Sequence, residues 1–161
     1  MKFIAAALAA SMLIASPALA QDNAGFTGAR VEVTAGYNDI TGAFDANNVV
    51  YGAAAGFDLP VGNKLTFGIE ANASNVFENE RQIGAAARLG YAVTPKALVY
   101  VKGGYNNYRN VFHRNLDGFV IGTGLEYKVS NHTYVKVQYD YSDFQGRTGS
   151  SAVQAGVGVR F

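Results

Sequence analysis

With no cysteine among its 161 residues, the chain could build a nucleophile and its base most simply from Ser and His. Its two histidines stand in His113-Arg114-Asn115 and His132-Thr133-Tyr134. A Ser–His–carboxylate set could be drawn from His113, Ser142 and Asp143, but polar connections commonly carry such residues without using them. His132 reads as a solvated turn residue. Asp39, Asp45 and Asn47 are too scattered for a Ca2+ loop, and no zinc spacing or phosphate-cradling Gly motif occurs. The sequence therefore assigns no catalytic, cofactor-binding or metal-ligating residue, and no cofactor. The most distinctive polar stretch is 107–117, where Arg109, His113 and Arg114 stand beside Tyr108 and Phe112. Guanidinium forks suit phosphate, so a loop ligand bearing phosphate is the chemistry this stretch could do.

The elements that must position these residues follow from the rest of the chain. Lys2, an apolar run from Phe3 to Ile14 broken only by Ser11, and Ala18-Leu19-Ala20 before Gln21 form the pattern of a cleaved secretory signal peptide. The run is too short to span a bilayer as a helix. Residues 1–20 are thus expected to be removed at Ala20/Gln21, and no Cys follows to carry a lipid. Residues 21–28 read as a short polar lead-in to the segments that follow. With 13 basic and 12 acidic residues overall, no basic field exists to hold nucleic acid.

From residue 29 the apolar signal has period 2. Segments at 29–38, 49–59, 64–74, 82–93, 97–106, 118–129, 133–141 and 151–161 match the length of a tilted transmembrane strand. No segment carries a helical period. Short turns at 60–63, 94–96 and 130–132 alternate with longer polar connections at 39–48, 75–81, 107–117 and 142–150. Alternating short and long connections around an even strand number predict an all-β, eight-stranded antiparallel up-and-down transmembrane barrel over 29–161, with both termini in the periplasm.

Parity separates lipid from lumen. Arg30, Glu32, Asp58, Lys64, Glu70, Arg88, Lys102, Glu126, Lys128, Lys136, Asp140 and Arg160 all take even positions, opposite the apolar face. A soluble barrel with an apolar cavity would need the reverse arrangement. Nearly all strand glycines are even too, Gly103 excepted. Odd-numbered aromatics gather near strand ends as two girdles around an aliphatic belt. Seven bases against five acids in so narrow a lumen should pair rather than line an open path. Val50, Leu98, Tyr100 and Val120 are apolar on the inward parity, which points to a bulge in one of those strands.

The last strand closes Val153-Gln-Ala-Gly-Val157-Gly-Val-Arg-Phe161. With the signal peptide and the eight segments, the chain resembles small opacity-like or OmpA/OmpX-type outer-membrane proteins, porin-like surface barrels of Gram-negative cells. The resemblance implies a monomer in contact with outer-membrane lipid and lipopolysaccharide, delivered by the barrel assembly machinery through the strand ending at Phe161. It implies a structural, surface-exposed, non-enzymatic role through four extracellular loops. A narrow passive channel for water or small solutes is the alternative, and a lipid A-modifying enzyme a second. Lipid A deacylases of this shape use a His-x-Ser pair that both histidine triplets lack. The chain stops at the last strand, so no peptidoglycan-binding domain is expected after it.

Overall fold

Pleating sends alternate side chains to opposite faces, so a chain that alternates apolar and polar residues calls for a sheet with two unlike sides. The computed structural model describes residues 25–41, 46–75, 81–109, 115–144 and 148–161. The expected signal peptide at 1–20 lies outside the described residues. The strands are β1 (Gly28–Thr41), β2 (Ala46–Pro60), β3 (Leu65–Asn75), β4 (Arg81–Thr94), β5 (Ala97–Arg109), β6 (Asn115–Lys128), β7 (Thr133–Phe144) and β8 (Thr148–Arg160). Each pairs with the next, and β1 pairs antiparallel with β8 from Arg30↔Arg160 to Thr41↔Gly149, which closes the sheet into a barrel. No helix occurs among the described residues. The fold is the all-β, eight-stranded, up-and-down barrel expected from the alternation.

Partners across the strand pairs share parity, as in Arg30↔Gly56, Gly68↔Arg88, Lys102↔Gly122 and Glu126↔Lys136, with Thr94↔Ala97 as the one exception among the described residues. Even-numbered side chains therefore face inward around the whole barrel. The expected bulge at an inward apolar residue does not occur. Val50, Leu98, Tyr100 and Val120 all point inward, none more than 3% exposed. The register shifts instead between Ala92 and Thr94, beside a tight turn. Leu98 and Tyr100 belong inside because they pack with Ala92 and Phe26 in a small apolar cluster.

The strands run further than hydropathy suggests. Much of the expected long connections is ladder: β1 and β2 stay paired to Ile40↔Ala46, β4 and β5 to Arg81↔Arg109, and β7 and β8 to Phe144↔Thr148. Apolar alternation stops where lipid would stop, but backbone hydrogen bonds need no apolar side chains to continue. Only 42–45, 76–80, 110–114 and 145–147 separate strands at this end, and they lie outside the described residues. Turns at 61–64, 95–96 and 129–132 join strands at the other end, which also carries the first residues of β1 and the last of β8. There Thr94 Oγ1 accepts from the Ala97 amide at 2.9 Å, and Ser130 Oγ from the Thr133 amide at 3.1 Å. These are the local side-chain bonds that hold short turns. We refer to the two ends as the hairpin end and the terminal end.

Polarity is inverted relative to a water-soluble fold. Among the described residues Arg30, Glu32, Asp58, Arg88 and Glu126 are buried, while Val33, Ile69, Val101, Phe119 and Ile121 are exposed outside. The outward aromatics separate by depth. Tyr37, Tyr51, Tyr105, Phe119, Tyr139 and Tyr141 lie toward the hairpin end; Phe67, Tyr91, Tyr127 and Phe161 lie toward the terminal end. Aliphatic residues fill the band between.

Candidate functional site: the luminal charge network

Ten of the twelve inward charges meet in the lumen, and every strand supplies at least one. Lys64 is the first exception, because it falls in the exposed 61–64 turn rather than in β3. Lys128 is the second, half-buried at the terminal mouth. What remains is five bases (Arg30, Arg88, Lys102, Lys136, Arg160) against five acids (Glu32, Asp58, Glu70, Glu126, Asp140), a set of net charge zero. The expected surplus of inward base is thus removed by the two lysines at the terminal end.

The pairing is layered. Tilted strands bring inward side chains of alternate strands to one level. On the even strands, Asp58 (β2), Arg88 (β4), Glu126 (β6) and Arg160 (β8) form a closed ring of alternating charge. Its N···O distances are 3.2, 2.7, 2.9 and 2.6 Å in that order around the ring. The odd strands make a second level: Arg30 (β1) to Glu70 (β3) at 2.7 Å, Glu70 to Lys102 (β5) at 3.4 Å, and Lys102 to Asp140 (β7) at 3.2 Å. Lys136 (β7) returns to Glu32 (β1), which meets Arg30 at 3.2 Å. Arg30 Nε joins the levels through Asp58 Oδ2 at 3.0 Å. All ten side chains therefore form one connected network.

Aromatic groups and absent side chains make this density possible. Tyr134 donates its hydroxyl to Glu32 at 2.6 Å, and Tyr100 donates to Gln138 at 3.0 Å. The Arg88 guanidinium lies 4.3 Å from the centre of the Tyr100 ring, close enough for a cation–π attraction. A Cβ at Gly124 would sit 2.6 Å from Tyr100 Cζ, and one at Gly56 2.8 Å from Arg30 Nη2. Inward glycine is therefore the space into which the large charged and phenolic groups fold.

One sealing residue was hidden in the sequence. Phe26, in the lead-in expected to be polar, is 1% exposed and closes the terminal mouth. It packs on Ala92, Leu98 and Tyr100, its carbonyl accepts from Arg160 Nη1 at 2.7 Å, and Lys128 Nζ lies 5.2 Å from its ring centre. A single aromatic in an octet without periodicity gives no pattern to read. Phe26→Ala is expected to cost about 1.5–3 kcal/mol, the transfer term alone, because the vacated mouth opens to water instead of leaving a sealed void. The midpoint of urea unfolding from lipid vesicles measures it.

On the hairpin side of the charge network a cavity of about 60 Å3 remains, lined by Asn38, Asn72, Gln82, Asn106, Gln138 and Gln154 among others. That is room for water molecules. The residues considered for hydrolysis are not assembled. Ser142 is buried on the inward face, Asp143 is exposed on the outward face, and His113 lies outside the described residues. His132 is an exposed residue of the 129–132 turn, at the opposite end of the barrel from Ser142. Asp39 sits on the outward parity opposite Asn47, and Asp45 lies outside the described residues. No group of three or more His, Asp or Glu that could hold a metal occurs among the described residues. Within loop 107–117, Asn107 Nδ2 donates to Asp117 Oδ1 at 2.7 Å, while 110–114 lie outside the described residues.

A polar, charge-paired interior inside an apolar, aromatic-girdled wall is the arrangement of a barrel in lipid. Residues 6–161 match the family model described as the outer membrane protein beta-barrel domain. The chain belongs to this outer-membrane β-barrel family. Among the relatives of this outer-membrane barrel is the 31 kDa outer-membrane immunogenic protein of Brucella melitensis. It is 32% identical over 144 residues, covering 76% of this chain and 55% of that protein. The 25 kDa outer-membrane immunogenic protein of Brucella ovis is 24% identical over 127 residues, 68% of this chain and 62% of that one. The barrel chain thus spans little more than half the length of these relatives. In fold it is similar to Neisserial surface protein A, with a TM-score of 0.66 at 18% identity, over 84% of this chain and 98% of that one. It is also similar to Ail, the attachment invasion locus protein of Yersinia pestis, with a TM-score of 0.61 at 14% identity, over 84% and 100%. The barrel is an outer-membrane protein.

Proposed function

We propose that this outer-membrane barrel is a monomeric, non-enzymatic surface protein whose lumen is closed to solutes. Both termini lie in the periplasm, and the four hairpins face outward from the cell. The observation that carries the reading is the neutral ten-residue network with a partner on every strand. A solute would have to break pairs that the low-dielectric lumen makes costly to separate. Phe26 closes what space is left at the terminal mouth. The name shared by the Brucella relatives, outer-membrane immunogenic protein, supports surface exposure of the hairpins. On this reading residues 1–20 are removed on export, and the strand ending at Phe161 is presented to the barrel assembly machinery.

Single-channel recording in planar bilayers tests the closed lumen. The expected trace is flat, with no stable step of general-porin size. Stable steps of that size would overturn the reading in favour of a passive channel.

A further inference from the structure

Phe26 belongs to no strand. Residues 25–27 precede the ladder, which begins at Gly28↔Asp58, and among the described residues they make no backbone–backbone hydrogen bond. This strap is held by one buried ring and one bond, from Arg160 Nη1 to the Phe26 carbonyl at 2.7 Å. Glycine stands on both sides of it, at Gly25 and Gly28. Gly28 takes φ +101°, a conformation strained for other residues, and a Cβ there would run into the Phe161 carbonyl oxygen. A segment with so few ties and a glycine at each end opens more readily than the ladder beside it.

Beneath the ring lies an apolar pocket of its own size. Ala92, Leu98 and Tyr100 form the walls, each no more than 6% exposed. The Arg88 guanidinium, 4.3 Å from the centre of the Tyr100 ring, begins the charge network, so the apolar space ends there. Two cations stand at the lip. Arg160 is already paired with Asp58 and Glu126. Lys128 is half-buried, its Nζ is 5.2 Å from the centre of the Phe26 ring, and no carboxylate pairs with it among the described residues. A half-buried ammonium beside a neutral ring and a neutral carbonyl is poorly compensated. A carboxylate in the place of that carbonyl would form the stronger, charge-assisted bonds.

We propose that the terminal mouth is a binding pocket for a small aryl carboxylate, one ring joined through a short chain to its acid group, and that Phe26 occupies it in cis. The ligand's ring replaces the Phe26 ring on Leu98 and Tyr100. Its carboxylate replaces the Phe26 carbonyl at Arg160 and supplies the anion that Lys128 lacks. The strap swings out at Gly25 and Gly28 without disturbing the β1–β8 ladder. The charge network below stays closed, so the pocket is a dead end and a long acyl chain finds no room in it.

The chain has no cysteine, so Ala92→Cys places a single thiol under the strap. Its reaction with methyl methanethiosulfonate, in the folded barrel, reads whether the pocket is covered. Phe26→Ala in that background should speed the reaction at least tenfold, with the gel migration of the folded barrel retained. Hydrocinnamate should then protect the thiol at a concentration at least tenfold lower than hydrocinnamyl alcohol, which has the same ring and no charge. Adding Lys128→Met should remove that preference. With Phe26 in place, saturating hydrocinnamate should still slow the reaction, at a higher concentration. No acceleration by Phe26→Ala overturns the strap as a cover. Equal protection by acid and alcohol, or a preference that survives Lys128→Met, overturns the carboxylate pocket. Protection seen only when Phe26 is absent overturns its displacement by a ligand. None of these outcomes depends on which end of the barrel faces the cell surface.

Discussion

Replacing Arg30 with methionine should destabilise the barrel by about 3–5 kcal/mol, the cost of removing one partner from a buried ion pair. Arg30 is the member with most to lose. Its guanidinium meets Glu32, Asp58 and Glu70 at 3.2, 3.0 and 2.7 Å, all with side chains sealed from solvent. It is also the link between the ring on the even strands and the level on the odd strands. Methionine fills similar volume and leaves three carboxylates facing one another with less positive charge. The urea midpoint of the folded protein in lipid vesicles reads the loss. Adding Glu70→Gln removes one stranded charge, so Arg30→Met/Glu70→Gln should recover part of the stability. Residues sharing one network couple in this way. A change below about 1 kcal/mol for Arg30→Met, the scale of an exposed pair, would mean that the network is wet and adjustable.

The second large effect is on the opposite face. Ile121→Arg should cost about 1–3 kcal/mol, between the midplane and interfacial penalties for arginine on the lipid side. Ile121 is 67% exposed and sits between Phe119 at the hairpin girdle and Tyr127 at the terminal one. On a water-bathed surface the same change would fall within about 0.5 kcal/mol of neutral. Asp143→Arg supplies the depth control: this outward, exposed position near the hairpin end of β7 should cost only about 0–1 kcal/mol. The difference between the two substitutions measures the thickness of the apolar belt. Equal effects at both depths would contradict it.

Parity carried most of the fold because both faces obey it along all eight strands, with one shift beside the 95–96 turn. Every described cross-strand pair but Thr94↔Ala97, beside the 95–96 turn, joins residues of like parity, so one count from Arg30 to Arg160 places the strand residues in or out. The charges were readable for the same reason. Their partners were not: which base meets which acid depends on strand tilt, which brings β2, β4, β6 and β8 to one level and β1, β3, β5 and β7 to the next. Strand ends were misjudged because hydropathy reports where lipid ends, and the ladder from Tyr37↔Val49 on to Ile40↔Ala46 needs only backbone partners. Val50, Leu98, Tyr100 and Val120 looked misplaced because a lumen was expected to be polar throughout. A narrow barrel also needs volume, and Leu98 supplies it against Phe26.

The central claim is an eight-stranded barrel held in the outer membrane by an apolar exterior around a charge-paired interior. Gel migration of the outer-membrane fraction, with and without boiling in detergent, tests it most directly. A closed barrel resists detergent until heated, so the unboiled chain should run as a compact band separate from the boiled one, and both should come from the outer-membrane fraction. Recovery from the soluble periplasm as a single band unchanged by boiling would contradict the account.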